Sequence, residues 1–214
     1  MLINNLNNSQ IFKSYYKKPS DLFSWKEVAF LINNHFYNLT RVVGIDDKDI
    51  PLAVNDWEGK HQDSSFINKK ILEGHAVLLP NVSRYNEKLN NICKALENIF
   101  PGSTVDVHAF AGREGKNGSF RIHSDITTNF IFQIEGFSDW TVYKETSPEP
   151  GDRENDDGLT EEIKDTLEPG DVLYIPNKAF HYCQPKGKRL SLSFAINFHG
   201  NTKNHINREY YNYE

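Results

Sequence analysis

The spacing of apolar and polar positions changes period once along the chain, near Pro101. Before that point two stretches carry the 3.6-residue spacing of an amphipathic helix. Trp25, Val28, Ala29 and Ile32 form one stripe. It follows Ser24-x-x-Glu27, a capping box whose hydroxyl takes a free backbone N–H while the carboxylate reaches back. Leu89, Ile92, Cys93, Leu96, Ile99 and Phe100 form the second stripe, which predicts a helix over 83–100 stopped by Pro101-Gly102. Between the two, residues 33–70 are irregular and polar, with Asp46, Asp47 and Asp49 expected in a solvated loop. Residues 75–79 read as a short strand ended by Pro80, and the Asn-rich residues 1–20 predict no more than an arm or strand.

After Pro101 the period is two. Val105, Val107 and Ala109 alternate with Asp106, His108 and Phe110, and residues 120–143 are rich in β-formers. A strand over 172–176 follows the turn Glu168-Pro169-Gly170-Asp171, and residues 190–198 make the last strand. Loops are expected at 111–118 and at 146–158, the second of them acidic. The chain is therefore expected to be a single domain over 1–214, mainly β with N-terminal helices. A helical and strand region at 1–100 packs on a small barrel or sandwich at 103–200, and 201–214 is a polar tail.

Composition removes several function classes. A chain of 214 residues holds one domain with a sizeable core. The net charge of −5 and the shortness of the basic tracts speak against a nucleic-acid surface. There is neither a run of about 18 apolar residues nor a basic-then-apolar leader, so no membrane role is expected. Two cysteines, Cys93 and Cys183, lack paired spacing, which fits a reducing, cytoplasmic setting. Cys93 sits on the apolar stripe and reads as a core thiol.

The candidate chemistry begins at His123 and Asp125. Residues i and i+2 of a strand share a face, so both can address one point. A third ligand must come from another strand, and His181 is offered just past the strand and turn at 174–180. Two imidazoles and one carboxylate fill one face of an octahedron and leave three positions open. That set suits Fe(II) with a chelating co-substrate, whereas closed zinc sites take a fourth protein ligand. Spacing alone equally describes polar residues on an ordinary sheet. His108 is a candidate for the pocket wall, while His35, His61, His75, His199 and His205 show no partner pattern.

The ordered blocks around these residues resemble a known family. His123-Ser-Asp125, the aromatic strand Phe130 to Phe132, Gln133-x-x-Gly136, Trp140, Pro169-Gly170-Asp171, Tyr174, Ile175-Pro176 and His181 follow in the order of the JmjC/cupin-like oxygenases. The branch is that of the ribosomal-protein and asparaginyl hydroxylases, and the likeness covers roughly residues 15–200. It implies a double-stranded β-helix (a jelly-roll, cupin-like barrel) holding Fe(II) on His123, Asp125 and His181, with 2-oxoglutarate as co-substrate. The implied activity hydroxylates an unactivated C–H of a protein, peptide or amino-acid-like substrate and releases succinate and CO2. Asn129 and Asn197 match asparagines near the co-substrate's 1-carboxylate. A catalytic domain alone is expected, without the C-terminal dimerisation and winged-helix regions of the ribosomal-protein hydroxylases.

Two positions depart from the pattern. Ser138 stands where the branch carries the Lys or Arg that binds the far carboxylate. Arg189, in phase with Ser191, Ser193, Ala195 and Asn197, is the main substitute, and Arg189-x-Ser191 resembles the pair used in other branches of the superfamily. Arg121, in phase with His123, is the second substitute. Lys178 replaces a glycine before the distal histidine. Ser138 keeps open a metal-binding cupin of another activity, such as a co-substrate-free dioxygenase or an isomerase; a non-catalytic cupin-like binding module is a further alternative, and the intact set of three ligands speaks against it.

Overall fold

The computed structural model of the chain describes residues 7–34, 41–43, 64–113, 120–153 and 155–198. Among them lie the helices α1 (Trp25–Asn34), α2 (Ser64–Leu72) and α3 (Glu87–Ile99). The strands are β1 (Gln10–Phe12), β2 (Arg41–Val43), β3 (Ala76–Leu79), β4 (Ser103–Gly112) and β5 (Ile122–Ser124). They continue with β6 (Thr128–Thr146), β7 (Gly151–Arg153), β8 (Glu161–Leu167), β9 (Val172–Ile175) and β10 (Ala179–Phe198).

The antiparallel pair β6–β10 carries the architecture, because each strand is bent once and so belongs to two sheets. The first half of β6 pairs with β9 and the second half of β10 with β4. That sheet extends to β1 on one side and through β3 to β2 on the other. The remaining halves form the second sheet, with β8 beside β6, and β5 then β7 beside β10. The molecule is thus mainly β, a jelly roll whose ladder does not close into a ring among the described residues.

The bend has a local cause. Pairing shifts register between Lys186 and Leu190 and again before Ser191. Facing this irregularity, Gly136 has φ +71°, and a Cβ there would overlap the Lys188 carbonyl. Gln133 is fully buried and donates its amide to the carbonyls of Glu135 (2.9 Å) and Gly136 (3.1 Å). Gln-x-x-Gly is therefore the hinge: glycine takes a conformation hostile to L side chains, and glutamine satisfies carbonyls that leave the ladder.

Period two on β10 then sorts the interior. Leu190, Leu192, Phe194 and Ile196 join Val28, Ile32, Ile67, Leu89, Cys93 and Leu96 in a core between the first sheet and the helices. Arg189, Ser191, Ser193 and Ala195 point instead into the space between the sheets. Ile131, Trp140, Val142, Leu173 and Ile175 supply the apolar part of that inner layer.

Several expectations are corrected. Helix α3 starts at Glu87 because residues 82–85 form a 3-10 turn and Asn86 is the N-cap, accepting from Leu89 N at 3.0 Å. At α1 the Ser24 hydroxyl donates to the Glu27 carboxylate (2.9 Å). Helix α2 and strand β2 fall in the stretch expected to be irregular, and β7 falls in the acidic loop. His181 lies inside β10, and β4 runs through Gly112, past the expected loop start. Asp46, Asp47, Asp49, His35, His61, His199, His205, residues 114–119 and the tail lie outside the described residues.

Candidate metal centre and adjoining cavity

β5 and β10 run side by side with His123 opposite His181, and this pairing brings the two imidazoles together at 4.2 Å between ring centroids. Asp125 follows β5 directly. Its carboxylate oxygens lie 4.0 Å from His123 Nε2 and 3.7 Å from His181 Nε2. One ligand atom from each residue falls within 4.8 Å of the others, the only such group of three among the described residues. Octahedral neighbours at ~2.1 Å from an ion sit about 3 Å apart, so a closure of about 1–2 Å brings all three onto one ion.

The chemistry of the donors is set by their outer partners. His123 Nδ1 is 2.7 Å from the Arg121 carbonyl, and His181 Nδ1 is 3.0 Å from the Ala179 carbonyl. A carbonyl only accepts, so both Nδ1 atoms carry hydrogen and both Nε2 lone pairs face the centre. Burial, reinforced by the neighbouring His123 and opposed by Asp125, pushes His181 down to about 4, so it is neutral at physiological pH. Asp125 is held from two sides: Asn129 Nδ2 donates to its Oδ2 (3.0 Å), and its carbonyl accepts from Lys178 N (2.8 Å). Trp140 stacks near His181 at 26°, and the edge of Phe120 meets His123.

These ligands open on a cavity of about 490 Å³ between the sheets. Asn129, Ser191, Ser193 and Arg189 line it, as do Phe110, Trp140, Cys183 and His108. Arg189 is only 3% exposed, donates from Nη1 to Cys183 Sγ (3.1 Å) and lies 5.9 Å from the Phe110 ring centroid. Its Nε has no hydrogen-bond partner, and no ion pair reaches it among the described residues. An uncompensated buried charge is costly, so this end of the cavity favours an anion.

The remaining candidates are distributed unevenly. Ser191 is buried in the cavity wall and donates to Gln133 Oε1 at 3.0 Å. Ser138 is fully buried, on the same side of β6 as Trp140, with its Oγ unpartnered, but it does not line the cavity. Arg121, the second substitute, lines a separate cleft with Tyr143, Lys164 and Tyr182. Asn197 sits half-buried opposite Thr104 and off the cavity. Cys183, Phe110 and Gln133 were not given site roles by the sequence. Cys183 is in phase with His181, a signal hidden as long as His181 is placed beyond a strand end.

The JmjC domain family model matches residues 79–206. The chain belongs to the JmjC domain family. It is similar, at 26% identity over 89% of its length, to the bifunctional lysine-specific demethylase and histidyl-hydroxylase NO66 of Dictyostelium discoideum, covering 37% of that protein. It is 32% identical over 55% of its length to ribosomal oxygenase 2 of Mus musculus, covering 26% of that protein. The chain thus spans well under half the length of these relatives. Its fold matches YcfD, a ribosomal oxygenase from Escherichia coli solved with cobalt and 2-oxoglutarate, at a TM-score of 0.64 and 19% identity. That match covers 91% of this chain and 49% of YcfD.

Proposed function

We propose that the chain is a 2-oxoglutarate- and iron(II)-dependent oxygenase that hydroxylates a C–H bond of a protein side chain. The observation that carries this reading is the cavity: free imidazole lone pairs and a carboxylate at one level, an uncompensated guanidinium at another. Cys183, which accepts from Arg189, stands two residues after His181, or ~6.7 Å along the strand. That spacing suits a short dicarboxylate held at both ends. Membership of the JmjC domain family supports the same reading, as does the fold shared with a protein solved with 2-oxoglutarate. The histidyl-hydroxylase and ribosomal oxygenase relatives favour a protein substrate over a free small molecule.

His123, Asp125 and His181 would hold iron(II). Iron(II) held there would supply, with 2-oxoglutarate and O2, the chemistry of oxidative decarboxylation to succinate and CO2 that leaves one oxygen atom for the substrate carbon. The chain's own contribution is orientation and exclusion of water. Asn129 keeps Asp125 turned toward the imidazoles, since its amide donates to that carboxylate in preference to open cavity. Arg189 binds the far carboxylate and supplies the charge that Ser138 lacks. Phe110 and Trp140 wall the cavity, where a drier surrounding strengthens each polar contact.

The test is succinate release that requires both iron(II) and 2-oxoglutarate and disappears in His123→Ala and Asp125→Ala. A protein that holds Mn(II) yet binds no 2-oxoglutarate would return the chain to the class of metal-binding cupins of another activity.

A further inference from the structure

The cavity holds a cysteine that hydroxylation does not use. Cys183 is 5% exposed and stands opposite Trp140 in the β6–β10 ladder. Its sulfur accepts from Arg189 Nη1 at 3.1 Å, while Arg189 Nε, equally buried, has no partner. Sulfur is a weak acceptor, so this contact orients the guanidinium without compensating its charge. Cys93 offers a control within the same chain, because it is packed at 0% exposure in the helix-side core, away from the cavity.

Resting on the dicarboxylate reading above, we propose that Cys183 is an oxidation site for a small hydroperoxide, and that its sulfinate takes the anion position at Arg189. The oxidant is hydrogen peroxide: in the first step sulfur attacks one peroxide oxygen and the O–O bond breaks. The thiol proton leaves with the departing hydroxide as water, giving Cys–SOH. A second peroxide repeats the transfer and gives Cys–SO2H, which ionises to the sulfinate. Sulfur loses four electrons in all, and two peroxides are reduced to water. A sulfinate spreads one negative charge over two oxygens, as a carboxylate does, and so matches the guanidinium fork. The modified chain thereby fills from within the place that 2-oxoglutarate fills from the cavity.

The experiment treats the full chain with hydrogen peroxide in the presence of a chelator, removes both, adds Mn(II), and measures 2-oxoglutarate binding by calorimetry alongside peptide mass. Two oxygen atoms are expected on Cys183 and none on Cys93, with a fall in 2-oxoglutarate affinity of at least tenfold. Saturation with Mn(II) and 2-oxoglutarate before the peroxide should protect Cys183. The Cys183→Ser variant should show the same affinity before and after treatment. Cys183 left unoxidised, oxidised with affinity unchanged, or an equal loss in Cys183→Ser overturns the proposal. Absence of 2-oxoglutarate binding in the untreated chain is seen before any peroxide is added; it overturns the co-substrate reading itself and this proposal with it.

Discussion

Arg189 and Lys178 show how much single residues decide here. A guanidinium with an unpartnered Nε and, among the described residues, no ion-paired carboxylate gains most from a carboxylate that enters the cavity. Hydrogen bonds to charged groups contribute ~1.5–3 kcal/mol each. Arg189→Gln should therefore raise the KM for 2-oxoglutarate by about 10- to 100-fold, with a smaller effect on kcat at saturation. Arg121→Gln, in the other cleft, should leave that KM within about twofold; an equal rise in both variants would remove Arg189 as the anchor. Lys178 has φ 67°, the left-handed conformation that favours glycine. That conformation costs a non-glycine residue ~1–2 kcal/mol, and glycine's extra chain entropy takes back ~0.5–1. Lys178→Gly should then stabilise the fold by about 0.5–1 kcal/mol, read as a higher urea midpoint. At this scale the placement of His123 and Arg189 on one cavity was legible, because chemistry and strand phase coincide there. The placement of Arg121 in the other cleft was not, nor that of Asn197, where the inward face continues beyond the cavity.

Elements were legible in proportion to how one-sided their burial is. β4 and the second half of β10 alternate because one face meets the helix-side core, and the buried faces of α1 and α3 show clear stripes. Helix α2 buries only Ile67 and Ile71, too few to stand out from its polar surroundings. β8 is a sheet edge whose one fully buried residue is Leu167, and β7 is three residues of turn-like composition. Neither length nor pattern announces such strands; pairing with β6 and β5 creates them. The bend of β6 was visible as Gln-x-x-Gly but not as a bend, because its cause is a carbonyl 52 positions away in the chain, that of Lys188. Gly136→Ala places a methyl group against that carbonyl at φ +71°. Strain and overpacking together should cost about 3 kcal/mol or more. The expected outcome is a large drop in the denaturant midpoint, with loss of 2-oxoglutarate binding as Arg189, three residues beyond Lys186, shifts with the bend.

The N-terminal arm belongs to the whole molecule, and one buried carboxylate ties it down. Among the described residues strand β1 pairs only with β9, over three residues, which is a weak hold by itself. The turn before β9 strengthens it. Asp171, 3% exposed, accepts from Ser14 N (2.8 Å) and Glu168 N (3.0 Å), and Lys13 Nζ lies 3.2 Å from its Oδ2. Lys13 also reaches Asp165 at 3.0 Å; burial opposes its charge, but the two carboxylates outweigh that and hold its pKa above the usual lysine value. Tyr16 N donates to the Gly170 carbonyl (3.0 Å), and a Cβ at Gly170 would overlap the Tyr16 carbonyl. Pro-Gly-Asp is therefore a docking point for the arm as well as a turn. Asp171→Ala removes both acceptors and leaves two backbone donors to find water, at a cost of about 2–4 kcal/mol. The urea midpoint should fall accordingly, and limited proteolysis should release the arm ahead of the rest. Asp171→Asn, which keeps an acceptor oxygen, should lose less. Mn(II) affinity should stay within about threefold in both variants, because the ligands lie on or beside β5 and β10, whereas β1 pairs with β9. An unchanged midpoint in Asp171→Ala would mean that the arm is held by β9 alone, and Lys13 would then be an ordinary surface charge.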